Sequence, residues 1–186
     1  MKLNRNIVFS FGLLILIAAL YRVMPGRPWG FAPQIAMALF AGSVVKDRKY
    51  AFALPLFSMF ISDLLYHLFY LSGAGIIPGF YSGQLTNYIL FALLTVVGFF
   101  IKERKPLSIL AGALIGPTIY FLTSNFLVWI SGGGYARPKT WEGLIMCFND
   151  ALPFYRTSIA ATLFFSAVLF GSHYLLTKPV RERQSV

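Results

Sequence analysis

Polar side chains are scarce in this sequence, and those inside its apolar stretches are the ones whose chemistry needs explaining. Asp63 is the only acid within such a stretch, and His67 follows four residues later, so a helix carries both on one face. A carboxylate and an imidazole at that spacing can hold a polar ligand group or carry protons near neutral pH. Asn125 lies in a second apolar stretch, while Gln34 and Asn87 open two more. Trp129, Tyr135, Trp141 and Arg156 flank or occupy the segment 132–157, which is longer than a plain connection requires. Ionisable groups inside a membrane are costly and functional by default, so Asp63 and His67 head a set of candidate binding residues with Asn125, Gln34, Asn87, Trp129, Tyr135, Trp141 and Arg156.

Catalysis is a poor fit. No HExxH or GxSxG pattern occurs, and there are only two histidines, of which His173 lies far along the chain from His67. The single cysteine, Cys147, cannot form an internal bridge and reads as a small apolar filler. No P-loop is present, so an ATP-driven step would have to come from a partner. The expectation is a chain with no catalytic residues, no metal and no cofactor.

These side chains must be positioned by helices in lipid. Of the 186 residues, 58% are hydrophobic and 12% charged, and the mean hydropathy is +0.70. Globular chains carry about 25% charged residues, so a soluble domain of this size is excluded. Six apolar stretches can be counted, at about 7–24, 31–45, 51–71, 87–101, 107–131 and 158–177. A spanning helix needs about 20 residues, which four stretches supply; the second and fourth are short. The expected fold is therefore an all-α integral membrane protein, a single domain over 1–186 with six transmembrane helices; five plus a re-entrant segment is the alternative. The first stretch follows Lys2 and Arg5 like a signal peptide but runs into Leu20-Tyr21-Arg22 without a small-x-small cleavage site, so it is read as a retained helix.

The net charge of +10 is mostly a matter of orientation. With the N-terminus cytoplasmic, 11 Lys and Arg fall inside (Lys2, Arg5, Lys46, Arg48, Lys49, Lys102, Arg104, Lys105, Lys178, Arg181, Arg183) and 5 outside (Arg22, Arg27, Arg137, Lys139, Arg156). Both termini are then cytoplasmic, and the basic excess needs no nucleic acid. In this frame Asp63 sits about 18 Å and His67 about 24 Å along an outward-running third helix, at about 1.5 Å per residue. Asn125 reaches the same outer third. Small residues crowd the inner half: Ala36, Ala38, Ala41 and Gly42 on the second helix, Ala111, Gly112, Ala113 and Gly116 on the fifth. Such faces let helices approach closely, within the bundle or against a partner. A polar-lined outer half over a tightly packed inner half suggests a pocket that opens outward, with 132–157 lying on the membrane surface or closing as a lid.

Particular runs carry a resemblance. Thr123-Ser124-Asn125-Phe126-Leu127-Val128-Trp129, Tyr135-Ala136-Arg137-Pro138-Lys139-Thr140, Gly143-Leu144, Cys147 and Ala151-Leu152-Pro153-Phe154-Tyr155-Arg156 resemble a family of small bacterial inner-membrane proteins of unassigned function that is labelled as transport proteins. Phe31-Ala32-Pro33, Ala38-Leu39-Phe40-Ala41-Gly42 and Ser62-Asp63 are similar to its N-terminal half; Ala136-Arg137 looks like an insertion. More distantly, the pattern is similar to the S components of energy-coupling-factor vitamin transporters. These are six-helix binding subunits whose small-residue faces engage a transmembrane coupling subunit driven by two ATPases. The resemblance implies a location in the bacterial inner membrane, an outward pocket for a small vitamin-like or aromatic solute, and Ala38 and Gly42 at the coupling interface. The alternative is a structural or accessory subunit of a larger inner-membrane complex.

Overall fold

The computed structural model describes residues 5–177, with the backbone alone for 5–10. Lys2, Lys178, Arg181 and Arg183, which entered the charge count, lie outside the described residues. The described residues form six helices: α1 (Arg5–Val23), α2 (Gln34–Val44), α3 (Arg48–Leu71), α4 (Gln84–Gly98), α5 (Pro106–Ser131) and α6 (Trp141–Thr177). Short connections reverse the chain each time, so the ends of α1, α3 and α5 gather with the starts of α2, α4 and α6. Three helices, α3, α5 and α6, are long and apolar enough to cross a membrane. Large apolar side chains line the outside, among them Leu13 and Ile17 on α1, Phe57, Phe60, Leu64 and Leu68 on α3, and Leu114 and Leu122 on α5. That exterior suits lipid rather than water, and the chain reads as a membrane protein.

The centre of the bundle is α2. It has 11 residues, about 16 Å at 1.5 Å per residue, and every one but Ser43 is buried. A helix apolar all round belongs in a core. Pro33 fixes its entry, and the polar run from Lys46 ends it, where Asp47 caps α3 by accepting from the Lys49 N–H at 3.0 Å. Met37 and Ala41 pack with Ala18 of α1 and Leu54 of α3, while Leu39 and Phe40 join Leu94 of α4 and Phe170 of α6.

The small residues of α2 are used inside the chain, which corrects the expected coupling interface at Ala38 and Gly42. Both are buried, and a Cβ on Gly42 would lie 2.8 Å from the Gly98 Cα of α4 and overlap the Thr95 carbonyl oxygen. A Cβ on Gly98 would come within 3.1 Å of the Ala38 oxygen. The two backbones touch, so no partner helix can reach this face. Gly116 of α5 likewise faces the Leu39 side chain, and Gly112 faces Ile101.

The sixth helix differs most from expectation. The sixth apolar stretch is expected from about 158, yet α6 is continuous over 37 residues from Trp141. Thr140 Oγ1 accepts from the Gly143 N–H at 3.2 Å and starts it, and Pro153 is accommodated within it. At about 55 Å it exceeds the roughly 30 Å hydrocarbon core. The expected loop or lid over 132–157 is thus reduced to the turn 132–140. Trp129 Nε1 donates to the Pro138 oxygen at 2.8 Å, and Arg137 grips Asp150 through Nε and Nη2 at 2.8 and 2.9 Å. The Asp150 hydrogen bonds hold the Arg137 pKa above its ordinary value.

Close contact between α2 and α4 makes a direct prediction. Gly42→Val should cost at least the roughly 1–3 kcal/mol typical of overpacking and lower the thermal-unfolding midpoint in detergent. Gly171→Ala on α6, where a Cβ meets nothing within 4 Å, should leave it unchanged.

Candidate functional site

At the end of the bundle where α1 stops and α2 begins lies a cavity of about 320 Å³. Its walls come from α1 (Arg22), α2 (Gln34, Ile35), α3 (Met59, Asp63, Tyr66), α4 (Asn87, Phe91), α5 (Tyr120) and α6 (Ser158). Two loops add to the lining: 24–33 through Arg27, Trp29, Gly30 and Ala32, and 72–83 through Ile77, Pro78, Gly79 and Tyr81.

Asp63 anchors this region with only 2% of its side chain exposed. Charge at that depth must be compensated, and the surroundings do so completely. Arg22 Nη1 forms an ion pair with Oδ1, while Gln84 Nε2 and the Tyr88 hydroxyl each donate to Oδ2 at 2.8 Å. Arg22 Nη1 also donates to Ser62 Oγ at 2.5 Å, and the Ser62 hydroxyl donates in turn to the Met59 oxygen at 2.8 Å. Tyr66 donates to the Arg22 carbonyl at 2.6 Å and lays its ring beneath the guanidinium, with 5.6 Å to the ring centroid. One buried carboxylate therefore ties α1, α3 and α4 together.

The facing wall is a hydroxyl–amide chain. Tyr120 donates to Asn87 Oδ1 at 2.5 Å, and Asn87 Nδ2 donates to the Tyr81 oxygen at 2.6 Å, joining α5, α4 and the 72–83 loop. Gln34 is different. It is 2% exposed, its Nε2 makes long bonds to the Ala18 oxygen and Ser58 Oγ (3.4 and 3.5 Å), and its Oε1 has no hydrogen-bond partner among the described residues. A buried acceptor in this state costs about 1–3 kcal/mol.

The loops are fixed by close backbone approach. A Cβ on Gly79 would overlap the Asp63 carbonyl oxygen and lie 2.5 Å from the His67 nitrogen, so only glycine lets 72–83 rest on α3. Loop 24–33 turns through Gly26 and Gly30 at φ of 78° and 82°, and Arg27 ties it to the Arg22 and Phe31 oxygens at 3.2 and 2.8 Å. The cavity is therefore covered by 24–33 and 72–83, not by 132–157 as expected.

Of the residues singled out from sequence, the fold brings Asp63, Gln34 and Asn87 to the cavity. His67 shares a face with Asp63 in principle, but Gly79 is wedged between them; its ring meets Phe80 edge-on at 5.0 Å and lines no part of the cavity. Asn125 donates to the Phe121 oxygen of its own helix at 2.7 Å and lines a neighbouring space of about 180 Å³ with Tyr155 and Phe154. Trp129 pins the 132–140 turn, and Tyr135, Trp141 and Arg156 are exposed and away from the cavity. Common height was mistaken for common location. Arg22, Arg27, Tyr88 and Tyr120 were missed; Arg22 was legible only as a cation at the end of an apolar stretch. Cys147 contacts the Asn125 oxygen at 3.5 Å, and the described residues contain no cluster of three metal-ligating side chains.

Residues 2–184 match a family of unknown function (DUF6580), and the chain belongs to it. No curated protein and no solved structure matches the chain.

The Arg22–Asp63 pair should behave as a unit. Asp63→Ala or Arg22→Ala leaves a buried charge unmatched and should cost about 3–5 kcal/mol, whereas the neutral double substitution Arg22→Gln/Asp63→Asn should cost far less than the two single costs combined. A double-mutant cycle on thermal stability in detergent checks this, and additive costs would contradict it.

Proposed function

We propose that this member of the family is a membrane-embedded binding subunit that captures a small solute in the cavity beside Arg22 and Asp63. The observation that carries this is the 320 Å³ space itself, lined by Arg22, Arg27, Asp63 and Gln34, the last with a buried Oε1 that has no hydrogen-bond partner among the described residues. A ligand donor would relieve its cost. Aromatic and apolar walls with a few convergent polar groups are the usual make-up of a small-molecule site. In this reading the chain binds its solute without transforming it.

The proposed setting is the bacterial inner membrane, with all six helices in the bilayer and both termini cytoplasmic. Lys46, Arg48, Lys49, Lys102, Arg104 and Lys105 stand at the end opposite the cavity, which supports an outward-facing site. The distant likeness to S components adds a transmembrane coupling subunit with ATPases as the source of energy. That partner would have to use a surface other than Ala38 and Gly42. Opening of the 24–33 and 72–83 loops would admit the solute. The alternative, a structural or accessory subunit of a larger complex, gains nothing from α2, whose small residues are taken up by α4.

Thermal-shift screening of the detergent-solubilised protein against vitamins, nucleobases and aromatic metabolites tests the reading. A stabilising compound is expected, and its effect should vanish in Ala32→Trp, which fills the cavity, while the unliganded melting temperature stays near that of the native chain. If no compound stabilises the protein and it instead co-purifies stoichiometrically with a membrane complex, the binding reading falls.

A further inference from the structure

We infer that the solute is a small organic carboxylate with an aromatic or apolar body and an N–H or O–H donor remote from the carboxyl group. This inference rests on the binding reading and adds the chemistry of the ligand.

The charges lining the cavity are Arg22, Arg27 and Asp63. Both Asp63 oxygens are already engaged, Oδ1 by Arg22 and Oδ2 by Gln84 and Tyr88. Its negative charge therefore matches one arginine and leaves the other cation unmatched, so the cavity favours an anion. The unmet hydrogen-bonding capacity agrees. Arg22 uses Nη1 for Asp63 and Ser62, and Arg27 uses Nε and Nη1 for backbone oxygens. Arg22 Nε and Nη2, and Arg27 Nη2, have no protein partner among the described residues. The Nε–Nη2 edge is the fork that takes a carboxylate by two parallel bonds. Arg137 uses that edge on Asp150 elsewhere in this chain, at 2.8 and 2.9 Å.

A single excess positive charge suits a monoanion better than a phosphate monoester, which carries about 1.5 to 2 negative charges near neutral pH. Ile35, Met59 and Phe91 also line the cavity and accept an apolar or flat body. Gln34 Oε1 can only accept and is buried, so a ligand toward which the amide turns would meet it with a donor. The two unmet demands are therefore complementary to one molecule: an anion for guanidinium and a donor for the amide oxygen.

A matched series separates charge from shape. Indole-3-acetate, indole-3-acetamide and tryptamine share one ring and one N–H and differ in ending as carboxylate, neutral amide or ammonium. Titration calorimetry on the purified full-length protein should give the carboxylate an affinity about tenfold or more above the amide, and none for the ammonium. Arg22→Gln/Asp63→Asn takes away the fork but keeps the excess charge of Arg27, so it should lower the carboxylate affinity severalfold and narrow its lead over the amide. Should the double variant fail to fold, Arg27→Gln should weaken the carboxylate severalfold without weakening the amide. N-methylation of the indole-3-acetate ring should also weaken binding, and Gln34→Met should abolish the difference. An amide or ammonium bound as tightly as the carboxylate, or no binding by any of the three, overturns this assignment. The binding reading itself is decided separately by the thermal-shift panel and Ala32→Trp.

Discussion

A carboxylate can be almost fully buried in an apolar bundle only if its charge and both its oxygens are matched, and the arrangement around Asp63 follows from that demand. The cation comes from the last turn of α1, two donors come from α4, and the acid itself is on α3. Each partner must hold its position, because withdrawing one leaves a charge in surroundings that cannot solvate it. The pair thus works as a three-way clamp at one end of the bundle. The cavity is the space left over beside the clamp, where Arg22 lies close to the open region but Asp63 is already fully occupied.

The opposite half of the molecule is organised by contact between backbones. Glycines at 42 and 98 bring α2 and α4 together without intervening side chains, and the short central helix is enclosed as a result. An enclosed helix of 11 residues cannot extend through the bundle, so its N-terminal end stops below the end of α1. Gln34, its first residue, is then lodged between α1 and α3 beside Ala18 and Ser58, about a turn deeper than the Arg22–Asp63 pair, with its Oε1 unsatisfied among the described residues. Tight packing at one end and an open polar space at the other are thus consequences of one short helix.

Both covering loops rest on backbone contact as well as on hydrogen bonds. Loop 72–83 meets α3 at Gly79, and loop 24–33 meets α6 at Gly30, where a Cβ would lie 2.8 Å from the Phe154 oxygen. Loop 24–33 is tied further by Arg27, which donates to the Arg22 and Phe31 oxygens, and by Ser158, which donates to the Gly30 oxygen at 3.3 Å.

Apolar stretches separated by Pro, Gly and Lys/Arg clusters were enough to find six helices, because helix length and hydrophobic composition are local properties that lipid rewards directly. The same local rules placed Asp63 inside a helix and Gln34 at the start of one. They failed for α6, whose start at Trp141 falls inside the segment expected as a loop or lid and is held by Thr140 and the Arg137–Asp150 grip. They failed also for His67, Asn125 and Arg156, since height along a helix says nothing about which neighbour a side chain faces. The partner of Asp63 was beyond sequence altogether: Arg22 is 41 residues away, and only the packing of α1 against α3 brings the two charges together. Sequence determined the solvent, the helices and the buried acid; tertiary structure decided what neutralises that acid and which polar groups remain free, because pairing depends on the relative placement of helices and not on any one of them.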